Sequence, residues 1–153
     1  MKDRDVKILS DGFIPDLTQV KQVTVAETGS IPRNKGVKNN QPRLNFEKTV
    51  IQITGTVKRK ALESDGDFHI EVSDGSLDDS TLVCEAPDPN DSSVMLSTEK
   101  DSIAAVRNVV QNLHVGDRVT FTGIEFEDKI HSPSPHRTRN FIEMHPILVA
   151  RKL

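Results

Sequence analysis

Asp67-Phe68-His69-Ile70-Glu71-Val72-Ser73 alternates polar and apolar side chains without a break, and its reading decides that of the whole chain. Successive side chains of a strand point to opposite faces. Phe68, Ile70 and Val72 therefore line a core, while Asp67, His69, Glu71 and Ser73 face away from it. One short strand carries both a fold signal and a chemical one.

The same period continues on both sides. Upstream, before the turn sequence Ser64-Asp65-Gly66, Ile51, Ile53, Gly55 and Val57 alternate with Gln52, Thr54, Thr56 and Lys58. Downstream, after Asp74-Gly75, the stretch from Thr81 to Ala86 sends Leu82, Cys84 and Ala86 inward and Val83 and Glu85 outward, and Pro87 and Pro89 end it. These are strands two, one and three. Ile103, Val106, Val109, Val110 and Leu113 then recur at spacings of three and four, predicting an amphipathic helix from about Thr98 to Asn112, capped by Ser97 or Thr98. Gly116-Asp117 turns into strand four, with Val119, Phe121 and Gly123 on one face. A Pro- and His-rich loop, Glu127 to Arg139, leads to strand five, from Asn140 to about Ala150.

Three strands, a helix and two strands make a mainly β chain. The order is that of a five-stranded OB-like Greek-key barrel, with one helix between strands three and four closing its open end. Residues 46–153 form this domain. Residues 1–45 show no sustained period and are punctuated by Pro15, Gly29, Pro32, Gly36 and Pro42, so they read as an irregular N-terminal arm with a short helical turn near Val20 to Glu27.

A length of 153 residues with 35% hydrophobic side chains suits one domain with a real core. No apolar run approaches the roughly 18 residues of a membrane span. Met1 to Ser10 lacks the apolar segment of a secretory signal. The single cysteine, Cys84, excludes an internal disulfide and a Cys-rich zinc site, and its inward position makes it a core residue. No Gly-rich phosphate loop or Gly-x-Ser-x-Gly elbow is present.

The net charge of -3 hides strong segregation. Residues 1–60 hold 12 basic and 6 acidic side chains, whereas residues 61–101 hold 1 and 12. Lys58, Arg59 and Lys60, placed on the loop joining strands one and two, end the basic block.

In the wall of an OB barrel, strand five lies beside strand three. Asp67 and His69 of strand two, Glu85 of strand three, and Glu143 and His145 of strand five then form one outward polar stripe. The loop before strand five adds Asp128, His131, Arg137 and Arg139 at its edge. Two imidazoles with carboxylates suit zinc or another divalent ion, so a metal is the one cofactor in view. The spacings match no compact ligand motif, and cross-strand hydrogen bonds explain the stripe as well. Asp74, Ser76 and Asp78 with Glu85 stand at positions 1, 3, 5 and 12 of a calcium loop, but Asp79 occupies the place of its glycine, so an acidic hairpin is the better reading. For single-stranded nucleic acid or another polyanion, stacking platforms are scarce. Trp and Tyr are absent, leaving Phe126, Phe141, Phe13 and Phe46.

Glu63 to Ile70, the Glu85-Ala86-Pro87 step, Gly123 to Asp128 with His131, and the ending Asn140 to Leu148 resemble a family of small bacterial proteins. Many members are exported, and no activity is assigned to them. The resemblance spans about residues 50–149 and rests most on Asp-Gly-Asp-x-His and Ile-Glu-x-His-Pro. It implies an OB-like barrel, a shared purpose for Asp67, His69, Glu85, Asp128, His131, Glu143 and His145, and an exported mature form. The chain departs from the family at Ser132-Pro133-Ser134-Pro135, where members carry Gly-rich sequence. The expected function is a noncatalytic binding module using the outer face of strands two, three and five. The alternatives are a metal-dependent hydrolase or nuclease, with Glu143 or Glu85 as base, and a structural adaptor whose arm docks a partner.

Overall fold

A computed structural model describes residues 2–33, 42–129 and 135–153. In chain order the elements are α1 (Lys2–Lys7), β1 (Val20–Gln22), α2 (Val25–Gly29), β2 (Val50–Leu62), β3 (Phe68–Ser73), β4 (Ser76–Asp79), β5 (Leu82–Ala86), α3 (Lys100–Val110), β6 (Arg118–Glu127) and β7 (Ile142–Lys152). The sheet runs β1-β2-β3-β5-β7-β6, and β6 also pairs with β2, so five strands close into a barrel. This is the expected OB-like order, with β5 and β7 parallel and the other barrel pairs antiparallel.

The inward rows meet as their alternation requires. Ile51, Ile53, Val57, Ile70, Val72, Leu82, Cys84, Val119, Phe121, Met144 and Ile147 form one core, which Val106, Val110 and Leu113 of the helical segment seal. Burial on this scale is the main drive to closure, at about 25 cal/mol per Å² of apolar surface.

β2 runs on to Leu62, and this moves Lys58, Arg59 and Lys60 from a loop into a strand. The reason is double pairing. Val50 to Thr56 pairs with β6, and Thr56 to Leu62 pairs with β3, with a register shift between Val57 and Arg59 where the strand bends. Gly55 sits at that crossing, where an added Cβ would lie 2.5 Å from the Ser73 carbonyl oxygen. A run of charge signals solvent, but it does not prevent backbone pairing when the side chains can reach water or a partner.

The helix also differs at its start. Its first residue is Lys100, and its N-cap is Glu99, whose N–H donates to Ser97 Oγ at 3.1 Å. Thr98 is taken by the arm: its hydroxyl donates to the carbonyls of Leu9 and Phe13 at 3.4 and 2.9 Å.

Three short elements, α1, β1 and α2, punctuate the otherwise irregular described part of the arm. β1 pairs in parallel with the start of β2, and α2 is capped by Thr24, whose Oγ1 accepts from Glu27 N. Leu9 is fully buried with Val50, Ile124 and Leu148, and Ile8 with Val94 and Ile103 of the helical side. These apolar residues are too few and too scattered to show a period. They gain their partners only from a barrel already formed.

Leu9→Ala should lower the stability of the whole domain by about 2–5 kcal/mol, the range for emptying a core leucine site. Urea unfolding followed by circular dichroism measures it, and an unchanged midpoint would show the barrel to be indifferent to its arm.

Candidate functional site

The outward row of β3 faces not solvent but a closed polar layer. Asp67, His69, Glu71, Glu85, Glu143 and His145 are all buried. The stripe was expected to be exposed. α1 and Arg137 account for the difference, because both bring cations onto the carboxylates.

Register builds the first group. β3 and β5 place His69 opposite Glu85. His69 Nδ1 lies 2.9 Å from Glu85 Oε1 and 3.3 Å from Glu63 Oε1, while its Nε2 lies 3.2 Å from Glu71 Oε2. Glu71 is fixed in turn by the Thr81 hydroxyl at 2.9 Å and Arg59 Nη1 at 3.3 Å. Glu63 stands in the β2–β3 turn, whose Gly66 has φ of 88°.

The second group lies along β7. His145 Nδ1 is 3.0 Å from Glu143 Oε1, and Arg137 Nη2 is 3.4 Å from Glu143 Oε2. His145 Nε2 points toward Asp67 Oδ2, 4.0 Å away. Asp67 accepts from Arg4 Nη1 and Nη2 of α1 at 2.5 and 3.1 Å and from Asp88 N at 3.0 Å. Lys7, also of α1, pairs with Asp128 at 3.1 Å and lies over the Phe126 ring, whose edge meets the His145 ring.

Of the residues expected in the site, Asp67, His69, Glu85, Asp128, Glu143, His145 and Arg137 belong to these linked groups. His69 and Glu85 converge, whereas His145 bonds Glu143 instead of joining them. Arg139 and Lys58 are exposed, and His131 lies outside the described residues. Arg59 reaches the layer through Glu71. Lys60 does not, because its ammonium donates to the carbonyls of Gln111 and Leu113 at the end of the helix, at 2.9 and 3.0 Å. The calcium reading is not supported: Asp74 accepts from Val25 N and Ser76 N, and Glu85 belongs to His69. Phe126 and Phe141 are buried, which removes them as stacking platforms.

Sequence reading missed Glu63, Arg4 and Lys7. Glu63 was findable, since a tight turn carries it back beside the Asp-x-His row. Nothing local marks Arg4, which is 63 residues from its partner.

Burial sets the ionisation of these groups. It opposes the charged imidazolium of His69, but hydrogen bonds to Glu71 and Glu85 outweigh it and raise the pKa to about 10. Burial raises Glu85 and Glu143 to about 7, against the His69 hydrogen bond in the first and nearby Lys7 and Arg137 in the second. His145 is lowered by burial and then by Lys7, which keeps it neutral.

Glu63, His69 and Glu85 each offer one donor atom, all within 4.8 Å of one another, the one such set of three among the described residues. A separate cavity of about 420 Å³ opens elsewhere on the barrel, between Gln52, Thr54, Thr120, Thr122 and Arg151, and contains none of the stripe.

No protein-family model and no curated protein matches the sequence. Solved structures do match. An OBody bound to hen egg-white lysozyme aligns with TM-score 0.51 at 13% identity, over 81% of this chain and 97% of its own. A second OBody bound to the same lysozyme gives 0.50 at 14%, over 71% and 85%. Asparaginyl-tRNA synthetase of Entamoeba histolytica gives 0.50 at 14%, over 88% of this chain but 23% of the synthetase. The likeness is one of fold. Among the described residues no helix is long and apolar enough to cross a membrane.

The pKa shifts carry a sign. His69 binds its proton more tightly folded than unfolded, so its stabilisation is full below about 6.5 and is lost as pH rises toward 10. Glu85 and Glu143 act in the same direction between 4.5 and 7, where neutral His145 opposes them. Above pH 7 the fall should therefore stand clear, at no more than about 1.4 kcal/mol per pH unit for one proton. Urea midpoints between pH 7 and 9 test this, and His69→Gln should flatten the slope. A stability that rises over this range would contradict the assigned ionisation.

Proposed function

We propose that this chain is an OB-like binding module whose ligand centre is a divalent cation held by Glu63, His69 and Glu85. The carrying observation is the carboxylate behind the imidazole. His69 turns Nδ1 to the two glutamates and gives its other nitrogen to Glu71, the arrangement by which metal-binding histidines are oriented. One imidazole and two carboxylates suit Mn²⁺ or Zn²⁺. The Glu63 side chain is 43% exposed, so one side of the centre opens to water and leaves room for a bound ligand. The surplus of carboxylates on this face favours a cation over direct contact with a polyanion.

Binding must expel the proton that His69 holds at neutral pH, so affinity strengthens as pH rises and protons are released. Titration calorimetry with Mn²⁺ or Zn²⁺, repeated in buffers of different ionisation enthalpy, should give one equivalent and a net proton release near pH 8. His69→Ala and Glu85→Gln should each abolish binding, whereas Glu71→Gln, which keeps all three ligands, should weaken it by about 10–100-fold. Absence of heat, of co-purified metal and of any thermal shift would end this reading.

A further inference from the structure

The far side of the His145 ring is the other feature of the stripe that packing leaves unexplained. The side chain is 4% exposed, and Nε2 has no hydrogen-bond partner among the described residues. An unpaired ring nitrogen at this depth is costly unless something occupies it. Glu143 Oε1 lies 3.0 Å from Nδ1, and when that carboxylate is ionised it accepts from Nδ1–H, which puts the lone pair on Nε2. That lone pair faces Asp67 Oδ2 at 4.0 Å, a gap that a small movement of either side chain brings to the roughly 3–3.5 Å between two ligands of one ion with bonds of about 2.0–2.2 Å.

Asp67 already holds a cation there. Arg4 Nη1 and Nη2 bond its two oxygens, and Nη2 also bonds Asp91 at 2.8 Å. The guanidinium supplies the positive charge that a carboxylate 1% exposed requires. It does not satisfy His145, because no N–H of the guanidinium reaches Nε2, which faces the carboxylate instead.

We propose that His145 Nε2 and Asp67 Oδ2 form a second cation position, with Arg4 as its resident and displaceable occupant. A divalent ion takes the position when Arg4 withdraws, and it would satisfy both the carboxylate and the free nitrogen. Docking of α1 and occupancy by the ion are then mutually exclusive. The proposal shares with the preceding section the reading of this face as cation-binding, but it rests on different donors.

Arg4→Gln keeps a neutral donor near Asp67 and removes the charge, so it should fold, as circular dichroism would verify. Mn²⁺ titration should give one more equivalent with Arg4→Gln than with the wild-type protein. Adding His145→Asn, which keeps a donor for Glu143 and loses Nε2, should weaken that extra equivalent on the order of 10-fold or more. In the wild-type protein, millimolar Mn²⁺ should speed hydrogen exchange of the Ile8 and Leu9 amides, which bond the carbonyls of Arg4 and Val6 in the docked arm. An unchanged count in Arg4→Gln, or an extra equivalent that survives His145→Asn, overturns the proposal. The first centre fails separately: if it is absent, the count runs from zero to one, and the second position stands without it.

Discussion

Carboxylates placed on the outer wall of a closed barrel and then covered are the constraint on which the rest of the structure depends. An ionised carboxylate taken out of water must be neutralised or paired. Asp67, Glu71, Glu85 and Glu143 are all buried, and each meets a partner supplied from elsewhere: Arg4, Arg59, His69 and Arg137 respectively. The β3–β5 register can bring His69 to Glu85 unaided. The β2–β3 register does the same for Arg59 and Glu71, whereas Asp67 needs the arm and Glu143 the loop that carries Arg137, so the polar layer is complete only when the tertiary structure is.

This makes the arm and the barrel interdependent. Leu9 and Ile8 anchor α1 by apolar contact on two sides, against the β2/β6/β7 wall and against the helical side. Arg4 and Lys7 then carry charge to Asp67 and Asp128. The apolar anchors set where the helix lies, and the ion pairs decide which residues it covers. Thr98 completes the link by donating to the carbonyls of Leu9 and Phe13 instead of capping α3.

How much of this was legible in the sequence follows from the range of each interaction. Alternation is local, so the barrel strands and their inward rows could be read from Ile51 to Val57, Phe68 to Val72 and Leu82 to Ala86. The outward side of His69, Glu85, Glu143 and His145 followed from the same period. Their burial did not, because the covering groups lie far off in the chain: Arg4 is 63 residues from Asp67 and 87 from Asp91. Lys58, Arg59 and Lys60 were misplaced for a related reason. Their charge describes side chains, whereas their strand is held by backbone pairing to β3, and one of the three turns away to the carbonyls of Gln111 and Leu113.

Charge balance joins the two ends of the stripe into one system. Leaving aside the Lys7–Asp128 pair, which balances itself, and the part-exposed Asp91, five carboxylates, those of Glu63, Asp67, Glu71, Glu85 and Glu143, stand against four cationic groups, Arg4, Arg59, Arg137 and the His69 imidazolium. These groups are short of one positive charge. Burial is the main cause that raises Glu85 and Glu143 to about 7, and neighbouring carboxylates add to it, so a proton retained near neutral pH makes up the balance. A divalent ion at Glu63, His69 and Glu85 removes the imidazolium proton and brings two charges, so it closes the same gap without a protonated glutamate. On the proposed reading, proton and metal are alternative solutions to one electrostatic problem, and pH would decide between them.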